Sequence, residues 1–395
     1  MPRFEPFAAL RYSTTNSTDI TALTSAPYDV FDEDQRAAYA ATDSHNIVLL
    51  DYPIEADGPS RYQLSADRLN EWRKSGDIVS DDSATFSIYR MTFTDEAGTQ
   101  RTTVGVIGAL EVVDEGAGGV LPHERTTPKA KTDRLDLTIA THANLSPVWG
   151  LSLTPGLTAA LSEPGDVVAQ CTDEEGVQHV LERVTDPARI ATISRLVSEN
   201  PVLIADGHHR YAISRTFRDQ SRIAGNPQGA ELTMTYVAEL VQEQLSVAAI
   251  HRLYDIDNAS LISVLSSHYD TSDAGRVGPH TISEMDTRGS LCLVSPDGTG
   301  TFLTPRADTF SGVREMDSAR LEHALRNTEH SVTYQHGVTE VVNKLAAGAA
   351  ASAILIRPVS LAEIRRTADT GELMPPKSTF FTPKLRTGMV MRDLN

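Results

Sequence analysis

Apolar residues recur along the chain at both helix and strand spacings, which indicates a mixed α/β protein. Leu64 to Lys74 have helical spacing and are followed by Ser75-Gly76, a typical helix end. Phe86 to Thr94 and Arg101 to Val112 alternate between apolar and polar residues around a short polar turn, so they predict a β-hairpin. The apolar run from Ile47 to Leu50 predicts a further short strand.

The sharpest change of pattern lies in the middle of the chain. Val202 to Ala205 predicts a buried strand, which Asp206-Gly207 interrupts. From His208 to Ile223 the spacing of apolar residues becomes helical. Further helices are predicted at 133–143, 316–325 and 338–346. Further strands are predicted at 232–239, 245–253, 291–294 and 354–356.

Composition and charge narrow the class of protein. The chain has 395 residues, of which 40% are hydrophobic, so it is a packed globular protein with more than one core. Its formal net charge of −18 disfavours nucleic acid or an anionic membrane as a partner, because binding to either depends on neutralising phosphate charge. A phosphate ligand would therefore have to meet a local basic pocket.

Cysteine usage and the first residues predict a cytoplasmic protein. Cys171 and Cys292 are far apart and neither belongs to a CxxC motif, so disulfides and zinc-thiolate sites are not expected. Met1 to Phe7 lack the apolar run of a signal peptide. No segment approaches the roughly 18 unbroken apolar residues of a membrane span. The sequence leaves the oligomeric state open.

The run from Asp206 to Tyr211 has the pattern of a phosphate site. Gly207 allows a sharp turn between the strand and the helix, and the free N–H groups of a new helix favour an anion. His208, His209 and Arg210 add side-chain donors at the same place, and a bound phosphate would favour protonation of either histidine.

Two other interpretations of this run stay open. The histidines can simply pack or cap the helix while Arg210 is solvated. They can also bind a metal ion, although neighbouring helix residues point about 100° apart and rarely bind one ion together.

A second polar segment, Pro122 to Thr126, follows a glycine-rich loop. Glu124 is a candidate general base that would accept the proton of an attacking hydroxyl. Basic residues that can neutralise phosphate follow it: Arg125, Lys129, Lys131 and Arg134. The alternative is a solvated charged loop.

Two more segments are candidates for substrate binding. Asn144 and Ser146 lie in a short stretch, Asn144 to Pro147, that otherwise predicts a turn. Near the end of the chain, two prolines stiffen the backbone directly before Lys377, Ser378 and Thr379. A rigid loop with a cation and two hydroxyls suits a phosphate or a carboxylate, and the alternative is a proline-bounded surface loop.

Taken together, these runs resemble the bacterial family known as domain of unknown function 1015. The matching segments occur in the same order along nearly the whole chain and are 26–30, 121–126, 143–147, 205–211 and 374–379. The resemblance implies membership of that family but no activity.

A more distant resemblance implies an activity. The run from Asp206 to Arg210 is similar to the phosphate motif of the ParB/sulfiredoxin-like fold, and especially of its free serine kinases. In those kinases a Pro-His-Glu segment supplies the catalytic glutamate, and Pro122 to Glu124 take that place here, although the gap between the motifs is longer. The implied architecture is a ParB/sulfiredoxin-like core at 116–255 between α/β regions at 1–115 and 256–395.

This resemblance and the candidate residues above together predict the chemistry. Glu124 and His209 are the implied catalytic residues. The nucleotide's phosphates would be bound by Asp206, Gly207, His208, His209, Arg210, Lys131 and Arg134, and substrate would contact Arg125, Asn144, Ser146, Lys377, Ser378 and Thr379. Mg²⁺ with ATP or ADP is the expected cofactor, with the metal held by phosphate oxygens rather than by a protein site. The expected acceptor is a small hydroxylated metabolite, with free L-serine leading. The alternatives are a nucleotide-binding regulator and, disfavoured by charge, a DNA-binding protein or nuclease.

Overall fold

The computed structural model of the chain describes residues 1–15, 17–94, 99–124 and 131–395. They form two compact units, one of Met1–Ser246 with Pro383–Asn395 and one of Val247–Thr382. The expected boundary between residues 115 and 116 lies inside the first unit, because strands from both sides of it pair in one sheet. Helices and several sheets make up both units, so the predicted mixed α/β class is confirmed.

The secondary-structure elements of the described residues alternate between strands and helices. The strands are β1 (Phe4–Glu5), β2 (Ala9–Tyr12), β3 (Ile78–Ser80), β4 (Phe86–Thr94), β5 (Gln100–Glu111), β6 (Val120–Leu121), β7 (Ala143–Asn144), β8 (Val148–Ser152), β9 (Asp166–Thr172), β10 (Gln178–Val184), β11 (Val202–Asp206), β12 (Leu232–Glu239), β13 (Ser246–Ala248), β14 (His251–Tyr254), β15 (Tyr269–Arg276), β16 (Leu291–Val294), β17 (Thr299–Pro305), β18 (Val332–Gln335), β19 (Ser352–Leu355), β20 (Phe380–Thr382) and β21 (Met391–Asp393). The helices are α1 (Glu33–Thr42), α2 (Val48–Asp51), α3 (Arg61–Ser75), α4 (Lys131–Thr141), α5 (Leu157–Ala160), α6 (Pro187–Ser198), α7 (His208–Ile223), α8 (Asn258–Leu265), α9 (His280–Arg288), α10 (Asp317–Leu325), α11 (Val338–Ala346) and α12 (Leu361–Thr370). Over the residues described, none of these helices is long and apolar enough to cross a membrane.

The first unit is built on a mixed sheet with the strand order β6-β11-β8-β12-β5-β4-β10-β9, and β1 pairs with β5. Most neighbours are antiparallel, but β6 runs parallel to β11 and β8 runs parallel to β12. One core lies between this sheet and helices α5 and α6, and it also includes Tyr211 of α7. The long hairpin of β4 and β5 supplies the middle of the sheet, as the alternating sequence predicts.

The parallel pair of β6 and β11 determines where the two polar segments after these strands meet. Val120 is opposite Val202, and Leu121 is opposite Leu203. Because the carboxyl ends of parallel strands lie at the same edge of a sheet, the residues after Leu121 emerge beside the end of β11. Two segments that are far apart in sequence are therefore neighbours.

Residues 383–395 return to the first unit. Strand β21 lies in a small sheet of order β3-β2-β21-β7, so it joins the amino-terminal strand β2 to β7. Before it, the buried guanidinium of Arg386 contacts the Glu174 carboxylate at 2.7 and 3.1 Å and donates to the carbonyl and hydroxyl of Thr24. Residues 383–395 are thereby attached to the first unit at the small sheet and at the loops that contain Thr24 and Glu174.

The second unit contains a sheet of order β15-β17-β16-β19-β14-β18 and a two-stranded sheet of β13 and β20. Its strands show period-2 alternation: Tyr254 and Leu293 belong to the core on one face, while Leu253 and Val294 belong to the core on the other. Helices α8 and α10 cover the first face, and α9 and α11 cover the second.

One predicted element is wrong in type. Ile47 to Leu50, predicted as a strand, includes most of the short helix α2. The buried side chain of Asn46 explains the difference, because its oxygen accepts the N–H of Val48 at 3.0 Å while its amide donates to the carbonyls of Ala22 and Thr24. A short apolar run is ambiguous between a strand and a buried helix, and here the hydrogen bonds of Asn46 favour the helix.

We expect Arg386→Met to lower the free energy of unfolding of the first unit by about 2–4 kcal/mol, since it removes a buried charge with several hydrogen bonds. Urea unfolding followed by circular dichroism measures the loss. Arg195→Met is the matched control, because Arg195 is an exposed residue paired with Glu199 at 3.1 Å and should cost at most about 0.5 kcal/mol. Similar losses in both variants would contradict the proposed anchoring.

Candidate functional site

The junction between β11 and α7 forms the centre of the site. Asp206 ends the strand, and Gly207 adopts a left-handed conformation with φ 82° and ψ 29°. Helix α7 then begins at His208, and the N–H of Tyr211 donates to the carbonyl of Gly207 at 2.9 Å. The N–H groups in the first turn of a helix have no acceptor within it, so this end of α7 is suited to an anion.

The guanidinium of Arg210 folds back over this junction. Its Nη2 lies 3.3 Å from Oδ2 of Asp206 and 4.0 Å from Oδ2 of Asp29, and its Nη1 donates to the carbonyl of Pro147. Burial alone would lower the pKa of Arg210, but the carboxylates of Asp206 and Asp29 raise it above its usual range. Arg210 therefore remains charged, and Gly207 leaves the space that its side chain occupies.

A second cation, Lys384, contacts the same carboxylate oxygen. Its Nζ lies 3.4 Å from Oδ2 of Asp206. Burial would raise the pKa of Asp206, but the charges of Lys384 and Arg210 outweigh it and hold that pKa below its usual range. Lys384 was not among the predicted site residues, because its local pattern, a lysine after Thr382-Pro383, is weak.

Two histidine rings pack beside this junction. The N–H of His123 donates to Nε2 of His208 at 3.4 Å, and Nδ1 of the buried His123 is 2.5 Å from the carbonyl oxygen of Ile204. Burial lowers the pKa of His123 to about 4, although the Ile204 carbonyl and Asp206 oppose the shift. Burial, together with His123, also holds the pKa of His208 well below its usual value. Both rings are therefore neutral at pH 7. Protonation of a histidine by a bound phosphate stays a prediction.

Glu124 lies at the same edge of the sheet. Its Oε2 is 3.8 Å from Nε2 of His123, and its side chain is only 18% exposed. The pairing of β6 with β11 thus brings Glu124 near the predicted phosphate motif, although more than eighty residues separate them. His209, the other residue implied to be catalytic, is the second residue of α7 and is partly buried.

Arg134 lies in a second group of charges. Its Nη1 contacts the carbonyl and Oδ1 of Asp51, the latter at 3.2 Å, and its guanidinium stacks 3.6 Å from the ring centre of Tyr28. Burial raises the pKa of Asp51, and Arg134 and Arg210 oppose that shift. Neither Asp51 nor Tyr28 was among the predicted site residues. Lys131 begins the helix that carries Arg134.

A cavity of about 50 Å³ connects the two groups. It brings together four predicted residues, Arg134, Asn144, Ser146 and Arg210. The oxygen of Asn144 accepts the N–H of Met234 at 2.9 Å, so part of this lining is structural. The complete lining is Asp51, Arg134, Leu137, Thr138, Ala143, Asn144, Leu145, Ser146, Val148, Arg210, Ile213, Ser214 and Thr233.

The remaining predicted residues belong to the second unit or lie outside the described residues. Lys377, Ser378 and Thr379 belong to the second unit, where the buried hydroxyl of Ser378 donates to the carbonyl of Pro375 at 2.7 Å. Arg125, like Lys129, lies outside the described residues. Among those that the structure describes, no group of three or more His, Cys, Asp or Glu side chains is arranged to hold a metal ion.

The chain belongs to the family described as protein of unknown function DUF1015. The family model matches residues 4–322, which is most of the chain, and it confirms the membership predicted from the motifs. No curated protein matches the sequence.

Several solved structures are distantly similar. A conserved hypothetical protein from Pyrococcus furiosus is 13% identical with a TM-score of 0.37, and the match covers 67% of this chain and 87% of that one. A free serine kinase in complex with AMP is 13% identical with a TM-score of 0.38, and the match covers 67% and 84%. SbnI with C-terminal truncation from Staphylococcus aureus is 12% identical with a TM-score of 0.39, and the match covers 71% and 84%. These values are too low to transfer an activity or a substrate to this chain.

Replacing Gly207 by alanine should destabilise the first unit by more than the cost of backbone strain alone. Besides the positive φ, a Cβ there would lie 3.2 Å from Nε of Arg210 and 3.4 Å from Cα of Val148. Gly225, at the other end of α7, has φ 77° and no atom within 4 Å of such a Cβ, so Gly225→Ala is the matched control. We expect about 1 kcal/mol of destabilisation for the control and at least about 1 kcal/mol more for Gly207→Ala in urea unfolding. Equal losses of unfolding free energy in the two variants would show that the position of Arg210 does not depend on the space beside Gly207.

Acidification should destabilise the first unit through its two neutral histidines. The pKa values of His123 and His208 lie below the ordinary value in the folded chain, so the unfolded chain binds these protons at a higher pH. The free energy of unfolding should therefore fall as the pH drops below about 6.5, by up to about 1.4 kcal/mol per pH unit for each histidine. Urea unfolding at pH 7 and pH 5 should show a smaller fall for His208→Gln than for the wild type, and the assignment is wrong if the two falls are the same.

Proposed function

We propose that this protein is a nucleotide-dependent phosphotransferase that acts on a small hydroxylated metabolite, with free L-serine as the leading acceptor. One observation carries the proposal. The strand–glycine–helix junction at Gly207 and the carboxylate of Glu124 lie at the same edge of one sheet, through the pairing of β6 with β11. An anion site beside a partly buried carboxylate is the arrangement that phosphoryl transfer to a hydroxyl requires.

The charges around Asp206 support nucleotide binding. Arg210 and Lys384 both contact Oδ2 of Asp206, so one carboxylate positions two cations at the start of α7. Phosphates bound at the first turn of the helix would lie beside these cations and the N–H groups of that turn. Such donors are already oriented before the ligand arrives, which lowers the cost of stabilising the charge that develops in phosphoryl transfer.

Glu124 would act as the general base. It would take the proton of the acceptor hydroxyl as the acceptor oxygen forms a bond to the terminal phosphorus. The bond from that phosphorus to the bridging oxygen would break, and the shortened nucleotide would leave with the bond's electron pair. Mg²⁺ would be bound through phosphate oxygens, since the described residues contain no protein cluster that would hold it alone.

The test is a coupled assay of purified protein with Mg²⁺ and ATP or ADP, with and without L-serine. Glu124→Gln should lower turnover about 100-fold or more, because a general base typically contributes at least that factor. Its nucleotide affinity should stay within about twofold of the wild type. Arg210→Ala should instead weaken nucleotide binding, measured by calorimetry, because it removes one of the two cations.

Glu115→Gln is the matched control for Glu124. Glu115 is an exposed carboxylate that pairs with Arg215 at 2.9 Å, so the variant should keep full turnover. Full activity of Glu124→Gln on the true substrate would refute the assignment of the base. Nucleotide binding without turnover for any acceptor would favour a nucleotide-binding regulator instead.

A further inference from the structure

In the cavity between Arg134 and Arg210, water-sized groups can be centred over a volume of about 50 Å³, and the cavity is partly open. We therefore expect a compact ligand with few atoms there.

The walls of this cavity carry charges of both signs. Asp51 is 3% exposed and Arg134 is 7% exposed, and the two form an ion pair at 3.2 Å. Arg210 contributes a second cation, which the carboxylates of Asp206 and Asp29 balance from outside the lining. Within the described part of the chain, Nε of Arg134 and Nε of Arg210 have no hydrogen-bond acceptor, although the former lies 3.4 Å from an oxygen of Asp133.

Such a balanced set of buried charges favours a ligand without net charge. A small anion or a small cation would add an unbalanced charge beside these buried side chains, which is unfavourable. A zwitterion adds none, and each of its charged groups can find an opposite charge in the wall. Polar groups for a hydroxyl are also present, from Ser146, Thr138 and Ser214.

We propose that this cavity is the acceptor subsite and that it selects a small hydroxylated zwitterion through Asp51 and the two arginines. The ammonium group would bind the Asp51 carboxylate, and the carboxylate of the ligand would bind the guanidinium groups of Arg134 and Arg210. Arg210 also contacts Asp206 at the start of α7, so it connects the subsite with the phosphate side. The role of the ligand as acceptor rests on the proposed phosphotransferase, whereas its binding does not.

Calorimetry on the full chain tests the inference with three probes that differ in charge. L-serine has both charged groups, L-glycerate has a hydroxyl in place of the ammonium group, and ethanolamine lacks the carboxylate. We expect L-serine to bind at least about tenfold more tightly than either of the others. Asp51→Asn should weaken L-serine binding by at least about tenfold, while Asp136→Asn, the same change at an exposed position on α4, should not alter it. ADP binding, measured on the same samples, should be unchanged in both variants.

The outcomes separate this inference from the proposed function. If ADP binds but L-glycerate or ethanolamine binds as well as L-serine, the zwitterion subsite is refuted and the phosphotransferase proposal stands. If L-serine binds selectively and depends on Asp51 but no nucleotide binds, the subsite is supported and the phosphotransferase proposal fails. Absence of binding by all three probes also refutes the subsite. Should Asp51→Asn fail to fold, the comparison of probes on the wild-type protein still decides.

Discussion

A carboxylate that pairs with two cations at once sets the arrangement of the first unit's polar residues. Oδ2 of Asp206 is within 3.4 Å of both Arg210 and Lys384, which come from a helix and from the segment after the second unit. Arg210 extends this contact to Asp29 near the amino end of the chain. Segments that are far apart in the sequence are thus held around the start of α7 by the partly buried carboxylate of Asp206. Because an unpaired charge there would be costly, each partner depends on the others.

Burial and nearby charges shift the pKa values at this site in opposite directions, and which effect is larger differs from residue to residue. For Asp206, nearby cations outweigh burial and keep the carboxylate ionised. For His123 and His208, burial outweighs the nearby carboxylate and keeps the rings neutral. The positive charge available to a ligand therefore comes from Arg210 and Lys384 rather than from the histidines. The histidine rings instead order the backbone at the edge where Glu124 emerges.

Local features of this fold were predictable from sequence, and contacts distant in sequence were not. The strand, glycine turn and helix around Asp206 follow from hydrophobic spacing and one special residue, so the prediction matched the structure closely. The nearness of Glu124 came only from a resemblance, because parallel pairing of two short strands leaves no mark in spacing. Asp51 and Lys384 were missed, since a lone charged residue has no pattern until the chain folds around it. Asp51 was also difficult to identify because most of helix α2, which ends at Asp51, was predicted as a strand.

The position of Lys384 in the chain has a consequence for the order in which the site is assembled during synthesis. A ribosome makes the β11–α7 junction long before it makes residues 383–395, because the whole of the second unit is translated in between. The junction therefore emerges with Arg210 but without its second cation, and the sheet that contains β21 stays incomplete until Met391–Asp393 have been made. A nascent chain would thus carry an unfinished site for as long as the second unit is being made.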